Sequence, residues 1–214
     1  MSGAAFAKPL LIVVSGPSGA GKSTLCNKLL AEFPALRFSV SCTTREPRGT
    51  EKDGEAYHFL SRAEFERRIA ADDFLEFAEV HGNLYGTLKS ETGAQLERGR
   101  SVLLDIDVAG AAQVRGIVAT LPRASLMRGG FIDIFIAPPS IDELRRRLEK
   151  RGEDAPHVVA KRLENAATEI ARAAEFSHVL TNHDADASYE MLKQMLMERS
   201  GEGCENDCGE GCEK

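Results

Sequence analysis

The chain has 214 residues, is 43% hydrophobic, and carries 27 basic and 33 acidic side chains for a formal charge of −6. A chain of this size and composition buries about 70% of its unfolded surface and needs no disulfide or metal staple to fold. The acidic balance excludes a broad basic field for nucleic acid, and the lack of a long apolar run excludes a membrane span, so any bound phosphate must sit in a local pocket. The five cysteines are unevenly placed, with Cys26 and Cys42 alone in the body and Cys204, Cys208 and Cys212 crowded at the end. An odd count without framework spacing argues against a secreted disulfide protein, and a cytoplasmic chain is expected.

Residues 10–14 are continuously apolar, as expected for a strand buried on both faces. Residues 22–32 have helical spacing, with Leu25, Leu29 and Leu30 on one face. Residues 38–42 read as one short strand, and the polar, Gly- and Pro-containing stretch 43–53 as a loop. Phe65 and Ile69 mark a helix over 62–71, residues 74–80 alternate as a strand, and another helix lies within 86–99. Residues 101–106 form a second buried strand, 108–118 a helix, and 120–130 a loop around Pro122 and Gly129-Gly130. A third buried strand at 131–137 leads to Ser140, which with Glu143 forms a capping-box pattern. On the helix it opens, Ile141, Leu144 and Leu148 are expected to face the core, and Arg145, Arg146 and Arg147 the solvent. A basic helix follows over about 157–174, then a strand at 178–181 and a final helix over 185–199. Strands separated by helices predict an α/β fold: a parallel sheet core with helices on both faces. Residues 39–95 break that rhythm and are expected to form an inserted lobe.

Gly16, Pro17, Ser18, Gly19, Ala20, Gly21, Lys22 and Ser23 match the P-loop pattern, with Thr24 next. The pattern follows a buried strand and opens a helix, which is the setting it requires. Its glycines let successive backbone N–H groups face one concavity, and the helix N-terminus adds positive potential there. Lys22 is placed to reach the β and γ phosphates, and the Ser23 hydroxyl to ligate Mg²⁺. A P-loop also needs an acid near the metal. Asp105 ends an apolar strand and suits that role; Asp107 lies two residues on, and either could instead cap the helix that follows. These residues indicate a phosphotransferase or NTPase.

The acceptor is addressed by other groups. Arg45 and Arg48 stand three residues apart beside Ser41, Thr43 and Thr44. Planar guanidinium groups suit a phosphate monoester because each grips two oxygens at once. Tyr57, Glu76 and the run Tyr85-Gly86-Thr87 follow.

Taken together, the segments IVVSGPSGAGKST (12–24), FSVSCTTREPR (38–48), YHF (57–59), FLE (74–76), YGT (85–87), LDID (104–107) and IAPPS (136–140) resemble guanylate kinases. The likeness covers about residues 9–199, leaving 1–8 as an extension and 200–214 as a tail. It implies a core (9–38, 96–140 and 174–199), a GMP-binding lobe (39–95) and a helical lid (141–173). It implies GMP-phosphate contacts at Ser41, Arg45, Arg48, Tyr57 and Tyr85, and guanine contacts at Glu76, Thr87 and Asp107. Guanine presents N1–H and its 2-amino group as adjacent donors, which one carboxylate can accept together; adenine would leave that carboxylate unpaired. Arg151 and Arg162 match lid arginines that fold over the ATP phosphates. With Lys22 and Arg45 they make the implied catalytic set, and Mg²⁺ at Ser23 and Asp105 accompanies ATP.

The implied activity is phosphoryl transfer from ATP to GMP, and to dGMP, in purine nucleotide metabolism. Two other readings stand beside it: an inactive guanylate-kinase-like binding module, and a P-loop kinase with another phosphorylated acceptor. The chain departs from the family pattern at Cys42, where a hydroxyl residue is usual, at Ala109, where glutamine is common, and in a longer 119–130 loop. The tail carries five acids and one lysine around its three cysteines, and a disordered acidic tail is expected there.

Overall fold

The computed structural model describes residues 4–151 and 155–201, so the expectations for the tail cysteines lie outside the described residues. Strand β1 (Leu11–Ser15) is fully buried, as its unbroken apolar run requires. It lies at the centre of a five-stranded parallel sheet whose other strands are β2 (Leu36–Phe38), β7 (Ser101–Asp105), β8 (Phe131–Ala137) and β9 (His178–Thr181), in the order β2-β7-β1-β8-β9. Val14 pairs with Asp105 on one side, and Ser15 with Phe135 on the other.

Alternate residues of β1, with Leu10 just before it, feed two separate cores. Leu10, Ile12 and Val14 pack with α1 (Lys22–Glu32) and α8 (Ala185–Ser200) through Leu25, Leu29, Leu192 and Leu196. Leu11 and Val13 pack with α4 (Val108–Thr120) through Val108, Ala111 and Val114. The strands β1 and β7 therefore lead into helices on opposite faces, and a crevice opens between their carboxyl ends, where α/β sheets hold ligands.

Between β2 and β7 the chain builds a second sheet from β3 (Cys42–Thr43), β4 (His58–Phe59), β5 (Phe74–Val80) and β6 (Asn83–Leu88), in the order β4-β3-β6-β5. Helix α2 (Arg62–Ala70) covers it, with Phe65 stacked on Phe74 at 4.4 Å between ring centres, and α3 (Lys89–Glu97) returns the chain to the core. After β8, α6 (Ile141–Arg151) and α7 (Pro156–Ala171) share an apolar seam of Leu144, Leu148, Val159, Leu163 and Ala166. Ser140 caps α6 by accepting from the Glu143 N–H at 3.0 Å. Among the described residues no helix is long and apolar enough to cross a membrane.

Three local expectations are corrected, and one strand was not anticipated. Residues 38–42 are not one strand: the Ser39 N–H makes its bond to the Leu103 carbonyl, the chain then leaves the core sheet, and Cys42 pairs in the other. Strand β6 was hidden by Gly86 in its interior, which weakens the strand pattern. The 120–130 stretch contains a short helix, α5 (Leu126–Gly130). Ile141 is 37% exposed, because the seam with α7 begins only at Leu144.

Candidate active site

The P-loop passes so close to β8 that a Cβ on Gly16 (φ +135°) would lie 2.2 Å from the Ile136 carbonyl oxygen. Only glycine fits there. Gly21 precedes α1 without a side-chain cap, so protein side chains leave the helix's first N–H groups for an anion. Lys22 Nζ donates to the carbonyls of Gly16 and Pro17, at 2.5 and 3.3 Å, and so holds its charge over the loop. Two outside groups fasten the loop: Asn182 Nδ2 donates to the Ala20 carbonyl at 2.8 Å, and Arg162 of α7 donates to Ser18 Oγ at 3.2 Å.

Gly16, Ser18, Gly19, Gly21 and Lys22 line a cavity of about 370 Å³ together with Ser23, Thr24, Asp105, Ile106, Asp107 and Glu169. Burial pushes the Asp105 carboxyl above the usual carboxylate range, and Lys22 opposes that shift. Glu169, on α7, was not anticipated. Burial raises it too, against the pull of Lys22 and with a push from Asp107. Its spacing of seven from Arg162 puts both on one helical face, a signal the sequence did carry. Asp105 and Ser23 offer the hard oxygen donors that Mg²⁺ prefers, so the residues present fit that ion.

Asp107 serves two neighbours. Its Oδ1 accepts the Gly110 N–H at 2.7 Å and caps α4, so the capping role is filled. It also stands beside Glu76, which is 7% exposed. The Glu76 carboxyl is raised by burial and further by Asp107, while Thr87 works against the shift. Thr87 lies directly across the β5–β6 pairing, is 1% exposed, and donates its hydroxyl to Glu76 Oε1 at 2.7 Å. A bulge between Phe74 and Glu76 interrupts the regular register there.

Arg45 and its neighbours form a third group, which does not line the P-loop cavity. The Arg45 guanidinium grips both oxygens of Glu51, each at 3.0 Å, and the Arg48 N–H donates to the same carboxylate at 2.8 Å. Glu51 holds Arg45 firmly charged, with help from Tyr85. Arg45 also lies 5.3 Å from the centre of the Tyr57 ring, which meets Tyr85 edge-on. Ser41 is half-buried and its carbonyl accepts the His58 N–H, while the Arg48 side chain is exposed. Glu51 was not anticipated because the 43–53 stretch carries no periodic pattern. Arg151 ends α6, and its side chain lies outside the described residues.

A P-loop at the crevice of a parallel sheet, an acid at the next strand end and an arginine reaching in from α7 define a P-loop phosphotransferase. The guanylate kinase family model matches residues 8–199, and the chain belongs to that family. It is 45% identical to a guanylate kinase of Symbiobacterium thermophilum over 190 residues, covering 89% of this chain and 85% of that one. It is 47% identical to that of Alkalilimnicola ehrlichii over 186 residues, 87% of each chain. The crystal structure of guanylate kinase from Anaplasma phagocytophilum superposes with a TM-score of 0.66 at 33% identity, covering 92% of this chain and 89% of that one.

Proposed function

We propose that this chain catalyses ATP-dependent phosphorylation of GMP, and of dGMP, to the diphosphate by direct in-line transfer. The observation that carries the reading is the position of Asp107. It lines the P-loop cavity and also neighbours the buried Glu76, so the turn after β7 joins a phosphate site to a carboxylate pair suited to guanine's donors.

Guanylate kinases are ATP-dependent and generally require a divalent metal. Here Mg²⁺ is the proposed ion, held by Ser23 and Asp105; when bound it supplies positive charge against the ATP phosphates. The P-loop N–H groups and Lys22 bind the transferring phosphate and stabilise its charge. Arg45, Arg48, Tyr57, Tyr85 and Ser41 are assigned to the GMP phosphate, which must displace Glu51 from Arg45. Glu76, Thr87 and Asp107 are assigned to guanine. Arg162 already touches Ser18, which supports α6–α7 as a lid whose arginines, Arg151 included, close over the phosphates. Closure excludes water and suppresses ATP hydrolysis. No covalent intermediate is needed, since a GMP phosphate oxygen is already a competent nucleophile. A cytoplasmic location fits substrates drawn from the nucleotide pool.

The test is ADP release from ATP and Mg²⁺ with GMP, AMP, UMP or CMP supplied separately. Fast turnover with GMP alone is expected. Turnover with a different acceptor overturns the guanine assignment, and none with any acceptor, from folded protein, overturns the enzyme.

A further inference from the structure

Strand β5 is an edge of the second sheet, and beside its bulge it carries Glu76. On its outer side the free edge is met by a side chain: Gln113 of α4 accepts the Phe77 N–H at 3.1 Å and donates to the Phe77 carbonyl at 3.0 Å. One amide thus replaces the missing neighbouring strand. The Phe77 N–H belongs to the peptide that follows Glu76, so this pair fixes the backbone on the carboxyl side of the carboxylate. On the amino side Leu75 is fully buried in the same core as Val114 of α4. The bulge between Phe74 and Glu76 interrupts the ladder at Leu75, so on that side the backbone is held by packing in the core.

The same helix touches the carboxylate itself. A Cβ on Gly110 would lie 3.2 Å from Glu76 Oε2 and 3.5 Å from Asp107 Oδ1. Positions 107, 110 and 113 are spaced three apart, so one side of α4 presents in turn Asp107, a gap that admits Glu76, and the amide that clamps Phe77. The helix belongs to the core and Glu76 to the second sheet.

We infer that α4 is the ruler of the guanine site: Gln113 is a positioning residue that sets Glu76 against Asp107, and Gly110 keeps the space between them. Neither needs to touch substrate. The inference rests on the assignment of Glu76 to guanine. Its distinctive consequence concerns base selection, because an accurately placed carboxylate meets both N1–H and the 2-amino group, whereas a displaced one meets a single donor. Inosine monophosphate keeps N1–H and lacks the 2-amino group, so the ratio of kcat/KM for GMP to that for IMP reads the placement.

The experiment compares Gln113→Met, which keeps the length and loses both hydrogen bonds, with the unaltered chain. The GMP/IMP ratio is expected to fall about tenfold, with KM for ATP unchanged. An unchanged ratio overturns the inference, whatever happens to Tm, since a clamp that only stabilises the fold lowers Tm and leaves selectivity alone. If Gln113→Met does not fold, Gly110→Ala decides: its methyl presses on Glu76 Oε2 and is expected to lower the same ratio, and selectivity equal to the unaltered chain refutes the ruler. Glu76→Gln is measured in parallel. If it fails to collapse the ratio, the guanine assignment itself falls and takes the inference with it. If it collapses the ratio and the α4 variants do not, the assignment stands and the inference alone fails.

Discussion

Replacing Glu76 by glutamine should raise stability and abolish selectivity in the same molecule. Glu76 is buried, with Thr87 donating to one oxygen and Asp107 nearby as a like charge. Its folded pKa is raised, so the fold favours the protonated form. The ionised carboxylate therefore costs stability; that cost is absent below the ordinary carboxylate pKa, grows as pH rises through the folded value, and is complete above it. Glutamine has no charge to desolvate and keeps an acceptor for Thr87. Tm should thus rise relative to the unaltered chain at neutral pH, and the gap should close toward about pH 4. The site loses what the fold gains. Guanine brings two donors, each worth about 1.5–3 kcal/mol when it meets a carboxylate, and an amide turns one acceptor into an opposing donor. The one bond lost, with an opposing donor in its place, removes at least about 1.5–3 kcal/mol, or roughly 10–10² in kcat/KM for GMP. Coupled ADP release and thermal melts across pH measure both effects. Retained GMP preference, or a Tm that falls at neutral pH by an amount independent of pH, would refute the reasoning.

Lys22→Ala should cut turnover by at least about a hundredfold while calorimetric GMP affinity stays put, because Lys22 serves the P-loop and not the second sheet. Thr87→Val should raise KM for GMP roughly tenfold and lower Tm at neutral pH, since it strips a hydroxyl donor from a buried carboxylate. In Glu51→Gln, Arg45 loses its anionic partner, and inorganic phosphate should compete with GMP at lower concentration, read from the inhibition constant. Burial pushes the Cys26 thiol up to about 12 and the Cys42 thiol to about 11. At about pH 8 neither should react with iodoacetamide in the native state, as peptide mass spectrometry can establish.

The legible parts of the fold are those where one residue type decides the outcome locally. The apolar runs of β1, β7 and β8 read as strands covered on both faces, and the glycines between a strand and the helix at Lys22 as a P-loop. Strand β6 escaped because Gly86 breaks the apolar pattern at the point where the strand passes Glu76. The split of 38–42 escaped because alternation says nothing about which sheet a strand joins. In the site, Glu51 and Gln113 were invisible for a similar reason. Each acts through partners chosen by tertiary structure: Arg45 across a loop, and the Phe77 peptide on another element. Glu169 differs, since its helical spacing from Arg162 was readable.

The three residues Asp105, Ile106 and Asp107 put the groups proposed for phosphate transfer and for base selection on one short turn. Asp105 is held by its pairing with Val14 at the root of the P-loop, and Asp107 by the first turn of α4. Neither depends on the second sheet or on the α6–α7 pair. The turn between β7 and α4 therefore keeps its place beside Lys22 independently of both. The bonds from Gln113 to the Phe77 peptide hold Glu76 beside Asp107 from the same helix. Under the proposed guanine assignment, a base that fails to satisfy Glu76 and Asp107 leaves buried charge unpaired on that turn. The penalty then falls on alignment of the phosphates as well as on binding, so a wrong base should depress kcat as well as raise KM.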